Sequence, residues 1–268
     1  MYNASGRLLG KPRTTSSGAS VPGLWTMQQQ IEAKRASLWP GAPWTPAEIT
    51  TALWLDAADA STITESGGAV SQWDDKSGND LHVSQSTGAL QPTYVSNGFN
   101  GGYPTIDWGS STNSKRLFRT SVTWQPGQIA AVMDYDGGSP FPIPRLGIVA
   151  IHISIFQFRT KFSSTDFDRP VYLNGASSSA PDALPAVLDP FLFVTDFTGG
   201  VGDAIHIGND RGLTDSGWQG KICEVLVLGT TVSTEDRQKV EGYLAHKWGL
   251  TANLPADHPY KSAAPVTG

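Results

Sequence analysis

The fold of this chain is decided by residues 217–259, GWQGKICEVLVLGTTVSTEDRQKVEGYLAHKWGLTANLPADHP. The segment from Ile222 to Leu228 is apolar at nearly every position, which predicts a strand covered on both faces at the centre of a layered sheet. A helix should follow, with Ser233 as its N-cap and acidic residues in its first turn. Gly249 is placed to end it. Its buried face is predicted from three- and four-residue spacing to comprise Val240, Tyr243, Leu244 and Trp248.

Shorter apolar runs upstream predict the rest of an all-β body. The chain has 29 Gly and 18 Pro, so turns are frequent, and many short strands between turns favour a sandwich. Asn174-Gly175 is a hairpin signal. The predicted strands are residues 53–55, 70–73, 81–83, 105–108, 128–133, 148–158, 171–173, 191–197, 204–207 and 222–228.

Four quoted segments resemble one domain family. The run that ends in GYLAHKWGL is similar to the C-terminal end of laminin-G-like, concanavalin A-like domains, and ALWLDAADASTI, VSQWDDKSGNDLHVSQ and QPTYVSNGFNGGYPTIDW resemble earlier parts in the same order. The matches span residues 52–248. Such domains occur in bacterial surface proteins and in tailed-phage virion proteins. The resemblance implies a two-sheet antiparallel jelly-roll sandwich with a short C-terminal capping helix.

The first 45 residues have a different composition from the rest. Their first half is rich in Gly, Ser, Thr and Pro, which cannot bury enough apolar surface to fold alone, and a short helix is predicted over 27–38 before Pro40. They carry a net charge of +4, whereas the remainder carries −9. We therefore predict an extended N-terminal docking arm over 1–45, a sandwich over 46–250 and a tail over 251–268.

The arm holds the candidate binding residues. Its segment VPGLWTMQQQIEAKRASLWP resembles a recurrent piece of tailed-phage structural proteins, which implies docking onto other virion subunits. The arm has no dense Lys/Arg run, so nucleic acid is not the expected partner. The candidate partner-binding residues are the apolar Leu24, Trp25, Ile31, Leu38 and Trp39 and the basic Arg7, Lys11 and Arg13.

Catalytic and metal-binding patterns are weak. The pairs Asp56/Asp59 and Asp74/Asp75 could hold calcium, or could cap turns through their own backbone. The E-x-D-x-x-E pattern of the glucanases with this fold does not occur, and the five histidines form no zinc motif. The single Cys223 lies within the central strand pattern and is expected to be buried. We predict no catalytic residues and no cofactor, with calcium as the alternative.

These observations favour a non-enzymatic structural protein of a tailed-phage virion. It would be a head decoration, head fibre or tail-associated subunit, assembled as a homo-oligomer and able to contact a host-surface glycan. The alternative is a carbohydrate-binding module, and a polysaccharide-degrading enzyme is less favoured. No run approaches the ~20 apolar residues that cross a membrane, and the N-terminus lacks a secretion signal. The expected location is the virion, after synthesis in the host cytoplasm.

Overall fold

The computed structural model divides the chain into two units. It describes residues 42–109, 115–124, 127–136, 146–151, 154–158, 170–178, 188–196, 202–209, 217–229 and 232–267, and four two-residue strands nearer the N-terminus. One unit comprises residues 1–43 and 266–268; the other, called the body here, comprises residues 44–265. The body closes on itself, because the Trp44 N–H donates to the Pro265 carbonyl at 3.1 Å.

The first unit contains two antiparallel strand pairs. Strand β1 (Leu8–Leu9) pairs with β4 (Leu24–Trp25), and β2 (Arg13–Thr14) pairs with β3 (Ser20–Val21). The helix predicted over 27–38 lies outside the described residues. The N-terminal arm therefore stays a prediction.

The body is an antiparallel β-structure, which confirms the all-β prediction. Among its described residues there is one α-helix, α1 (Thr234–Lys247), and none of the described helices is long and apolar enough to span a membrane. Short 3-10 helices cover Pro46–Glu48, Ala60–Thr62, Gly88–Leu90 and Thr251–Asn253. The strands are β5 (Thr51–Asp56), β6 (Ile63–Ser66), β7 (Ala69–Trp73), β8 (Val83–Ser84), β9 (Thr93–Phe99), β10 (Tyr103–Asp107), β11 (Leu117–Trp124), β12 (Gln128–Tyr135), β13 (Leu146–Ile151), β14 (Ser154–Phe158), β15 (Val171–Leu173), β16 (Ala176–Ser178), β17 (Leu188–Asp196), β18 (Gly202–Ile207) and β19 (Lys221–Leu228).

Strand β19 is central to the body. It pairs with β12 along one side and with β5 and then β10 along the other. Every side chain from Ile222 to Leu228 is buried, as its two-sided apolar pattern predicts.

The strands of the body form one continuous hydrogen-bonded order. The full order is β14-β13-β18-β11-β8-β7-β9-β10-β19-β12-β17-β15-β16, with β5 on β19 and β6 on β7. Between β7 and β9 the register contains a single residue pair, Ala69 with Thr93. The link between β8 and β11 also contains a single pair, Phe118 with Ser84.

Two differences from the predicted strands have physical causes. The strand predicted over 148–158 is wrong: it is the pair β13 and β14, in which Ile151 pairs with Ser154. Strand β9 was not predicted because most of its side chains are exposed or half-buried, so its sequence lacks an apolar stripe. The Asn174-Gly175 hairpin is confirmed, with positive φ at both residues.

Helix α1 begins and ends as its sequence predicts. The Ser233 side chain accepts a hydrogen bond from the backbone N–H of Asp236 at 3.1 Å, and Gly249 adopts a φ of +71° just beyond the helix. Val240, Leu244 and Trp248 are fully buried. Trp248 meets Phe99 edge-on, with ring centroids 6.1 Å apart, so the end of the helix is anchored in the core.

The chain after α1 folds back onto the helix. An added Cβ at Gly242 would lie 2.4 Å from Cβ of Tyr260, so the two segments approach to backbone distance. Lys261 Nζ donates to the carbonyls of Ala252 and Leu254, which ties this segment to itself. Residues up to Pro265 thus belong to the body.

We predict that Gly242→Ala destabilises the body although alanine is the better helix former. The helix-propensity gain is about 1 kcal/mol, whereas forcing a methyl group into a packed contact costs about 1–3 kcal/mol, and this contact is tight. Thermal unfolding shows whether the melting temperature of the variant falls or rises relative to the parent. The double variant Gly242→Ala/Tyr260→Gly removes the obstructing Cβ and should lose less than the two single changes combined. A Gly242→Ala protein that melts above the parent would show that the tail does not pack there.

Candidate functional site

The candidate site is built around a carboxylate in the middle of the core. Glu224 lies on β19 and is 0 % exposed, between neighbours that are all apolar. A buried carboxylate is costly unless it is paired and hydrogen-bonded. The environment of Glu224 therefore has to supply donors.

Four donors converge on Glu224. Its Oε1 accepts from the indole Nε1–H of Trp54 at 2.7 Å and from the Tyr243 hydroxyl at 3.3 Å. Its Oε2 accepts from Trp248 Nε1–H at 2.6 Å and from Lys247 Nζ at 2.7 Å. Three of these residues come from the C-terminal end of α1 and one from β5, so this one carboxylate fastens the helix to the sheet.

A second carboxylate faces the same ammonium group. Asp56 is the direct cross-strand partner of Glu224 in the register of β5 and β19. Its Oδ1 lies 2.7 Å from Lys247 Nζ and accepts from the Ala58 N–H at 3.0 Å. Its Oδ2 lies 2.8 Å from Lys76 Nζ. Lys247 therefore bridges two buried carboxylates, and Asp56 is held between two lysines.

Burial and neighbouring charges shift the pKa values of several of these groups. Desolvation raises the pKa of Glu224, with the Asp56 charge adding to the rise and Lys247 opposing it. Desolvation also raises the pKa of Tyr243 strongly, so its hydroxyl stays a donor. For Lys76, burial alone would lower the pKa, but hydrogen bonds to Asp56 and Asp59 raise it above its usual value, so this lysine stays an ammonium.

Aromatic rings lie beside both lysines. Lys247 Nζ lies 5.2 Å from the ring centroid of Trp248 and 5.4 Å from that of Tyr243. Lys76 Nζ lies 4.7 Å from the ring of Trp54. The cluster of Asp56, Glu224, Lys76, Lys247 and these rings, called the lysine cluster here, is a low-dielectric site in which charges interact strongly.

A second buried ionic group fastens the tail. Glu241 of α1 is fully buried; it contacts Arg237 one turn earlier and His258 Nε2 at 3.0 Å. The Arg237 guanidinium stacks on Tyr172 of β15, 3.7 Å from the ring centroid. This group joins the helix, the tail and the sheet, and its polar atoms are used within the fold.

The acidic pairs that the sequence offers for calcium have other partners. Asp56 and Asp59 both contact Lys76, at 2.8 and 2.9 Å. Asp75 accepts from the backbone N–H groups of Trp54 and Leu81, and Asp74 accepts from Gln72. Within the described residues, no group of three or more His, Cys, Asp or Glu side chains is arranged to hold a metal ion. These contacts favour turn capping.

The predicted partner-binding residues are only partly described. The backbones of Leu24 and Trp25 form β4, and that of Arg13 is in β2. The side chains of all eight residues lie outside the described part of the chain, as do the backbones of Arg7, Lys11, Ile31, Leu38 and Trp39. The structure therefore does not test this set.

The sequence alone does not predict the lysine cluster. Its patterns indicate a calcium ligand or a turn residue at Asp56 and assign no role to Glu224 or Lys247. One signal was available: a single glutamate inside an apolar strand must find cationic partners. The cationic partner Lys247 is 23 residues away and the indole donor Trp54 is 170 residues away, so neither could be identified without the fold.

The tryptophan side chains that the structure describes are buried and offer no open face for stacking on a sugar. Trp44 is 5 % exposed, and Trp108 and Trp218 are fully buried. Comparison of the chain with protein-family models, with curated proteins and with solved structures finds no match.

We predict that Trp248 contributes to the body in two separable ways. Trp248→Ala should lower the free energy of unfolding by about 3–5 kcal/mol, the usual loss for a large buried aromatic residue. Trp248→Phe keeps a ring but removes the N–H that Glu224 accepts, which should cost about 1–3 kcal/mol. Denaturant unfolding measures both. Lys239→Ala removes only the surface ion pairs of Lys239 with Glu235 and Asp236 on the same helix and is the control, with an expected loss under about 1 kcal/mol. Equal losses for Trp248→Phe and Lys239→Ala would contradict a role for the indole N–H.

Proposed function

We propose that this chain is a non-enzymatic structural protein of a tailed-phage virion, docked onto other virion subunits through its N-terminal arm. Its body would be a laminin-G-like, concanavalin A-like jelly roll, in a homo-oligomer that decorates the head, forms a head fibre or associates with the tail. The resemblance of the four body segments and of VPGLWTMQQQIEAKRASLWP to such proteins is the support for this class.

The observation that carries the proposal is the contrast between the two units. In the described part of the body no large hydrophobic side chain is exposed; the exposed Val266 belongs to the other unit. Stable interfaces need apolar anchors at their centre. The arm contains such residues, Trp25, Ile31 and Trp39 among them, along and beside a predicted helix that is too short to be stable alone in water. Docking is therefore assigned to the arm.

The charge distribution supports the same division. The arm is basic and the rest of the chain acidic. Opposite charges speed association and orient it, but they contribute less to affinity than buried aromatic residues. We assign the main energetic role to Trp25 and Trp39 and a steering role to Arg7, Lys11 and Arg13.

The location is tested by labelling particles. An antibody against residues 44–265 is applied to virions purified from the host strain that carries this gene, and the particles are viewed by electron microscopy. Gold label at fixed positions on heads or tails supports the proposal and gives the location. Protein found only in the particle-free fraction would overturn it.

We predict that deleting residues 1–43 leaves a folded body that no longer joins particles. The cut precedes Trp44 because that residue is buried and packs edge-on against Tyr243, with centroids 6.1 Å apart. The truncated protein should show one cooperative melt and be absent from purified virions. A truncated protein that is still incorporated would show that the docking surface lies on the body and not on the arm.

We predict that Trp25→Ala lowers incorporation at least tenfold, since truncating an interface anchor costs about 2 kcal/mol or more. The melt of the body should not change. Replacing Arg7, Lys11 and Arg13 by Gln is the comparison: its effect should be smaller and should disappear as salt rises, because exposed charges are screened. Normal incorporation of the Trp25→Ala protein would show that Trp25 is not an anchor of the interface.

A further inference from the structure

The lysine cluster contains a reactive arrangement that the proposed function does not use. Lys247 Nζ lies 2.7 Å from Asp56 Oδ1 and 2.7 Å from Glu224 Oε2. An amine nucleophile, a carboxyl group and a second, fully buried carboxylate thus meet at one point. The two carboxylates come from paired strands and the amine from the end of α1, so the fold holds all three in place.

We propose that Lys247 and Asp56 condense to an intramolecular amide, an isopeptide bond, with Glu224 carrying the protons. The reaction is a self-modification of the folded chain, and it depends on neither the arm nor a virion.

The balance is that of an ammonium and a carboxylate giving an amide and water. The bond from Lys247 Nζ to Asp56 Cγ forms, and the bond from Cγ to Oδ1 breaks. The Nζ atom begins with three protons and ends with one. Glu224 takes the other two in turn and passes them to Oδ1, which leaves as water. Glu224 ends as it began, and no oxidant, reductant or other reactant is needed.

Glu224 is suited to this role by its burial. A general base works best when its proton affinity is higher than that of an exposed carboxylate, and desolvation raises the pKa of Glu224. Its Oε2 is already in contact with Lys247 Nζ. The first proton therefore has a direct path, and the neutral amine it leaves is the nucleophile.

Asp56 is held for attack on its other side. Lys76 Nζ lies 2.8 Å from Oδ2, the oxygen that is retained as the amide carbonyl. Negative charge develops on this oxygen when Nζ adds to Cγ, and a fixed ammonium stabilises it. The Ala58 N–H holds Oδ1 at 3.0 Å, which fixes the plane of the carboxyl group.

The choice of Lys247 over Lys76 follows from their second partners. Lys76 also contacts Asp56, but its other partner is Asp59, whose carboxylate is about one-third exposed. Hydrogen bonds from Ser61 and Lys76 lower the pKa of Asp59, which makes it a poor base. Lys76 therefore stays an ammonium, whereas Lys247 has the buried Glu224 beside it as a base.

The environment favours the amide over the ion pair. The side chains of Asp56 and Lys247 are only 5 % and 21 % exposed, so keeping both charged carries a desolvation cost. A neutral amide removes that cost. Prior positioning removes most of the entropic barrier to joining the groups.

The test is the intact mass of the full chain under denaturing conditions. We expect the folded wild-type protein to be lighter than its sequence by one water molecule, and a protease digest to contain a branched peptide that joins Asp56 to Lys247. Lys247→Arg keeps the charge but cannot form this bond, and Glu224→Gln keeps the size but cannot carry protons. Both should have the mass of their sequences.

Two further variants sharpen the result. Asp56→Asn should still react, but with loss of ammonia instead of water. Lys239→Arg makes the same substitution on the same helix but outside the lysine cluster, and it is the matched control that should still lose water. Near-ultraviolet circular dichroism confirms that each variant is folded. A folded wild-type protein that keeps its full sequence mass after prolonged incubation would overturn the proposal. So would a water loss that persists in Lys247→Arg, which would indicate another lysine or an aspartyl succinimide.

Discussion

The burial of one carboxylate constrains the rest of the body. Glu224 is the only charged residue of β19 after Lys221, and it sits where the strand is covered on both faces. Its four donors must be brought to it, which requires β5 on its flank and the last turn of α1 above it. An apolar residue would pack there at lower electrostatic cost. A glutamate at this position demands a specific placement of Trp54, Lys247 and Trp248, and so fixes where the helix ends on the sheet.

The sequence predicts well the features set by neighbouring residues. The strand over 222–228, the Ser233 cap, the glycine stop of α1 and the Asn174-Gly175 hairpin all follow from short patterns, and all are confirmed. The sequence predicts poorly the features set by distant partners. Asp56 resembles a turn residue or a metal ligand until β5 is placed against β19, where it faces Glu224. Strand β9 gives no signal because its side chains are mostly solvent-facing.

Two ionic clusters hold different parts of α1 in place. The lysine cluster holds the end of the helix against β5 and β19, while Glu241 with Arg237 and His258 holds its middle to the tail and β15. Both rely on a fully buried glutamate. Leaving a buried charge unpaired is far more costly than losing a surface pair. The helix therefore has one well-defined position against the sheet, and this position should not vary with changes in the exposed loops.

The meeting of the two ends of the body has a mechanical consequence. The Trp44 N–H and the Pro265 carbonyl are joined by a single hydrogen bond of 3.1 Å, so the chain enters and leaves the body at one point. Tension between the segments on either side would first load the bond from the Thr267 N–H to the Ala42 carbonyl, at 2.8 Å, and then the Trp44–Pro265 bond. Adjacent ends are also the geometry in which a domain tolerates insertion into a loop of another protein. The body could therefore be inserted into a loop of another protein without lying in the path of tension along that protein's chain.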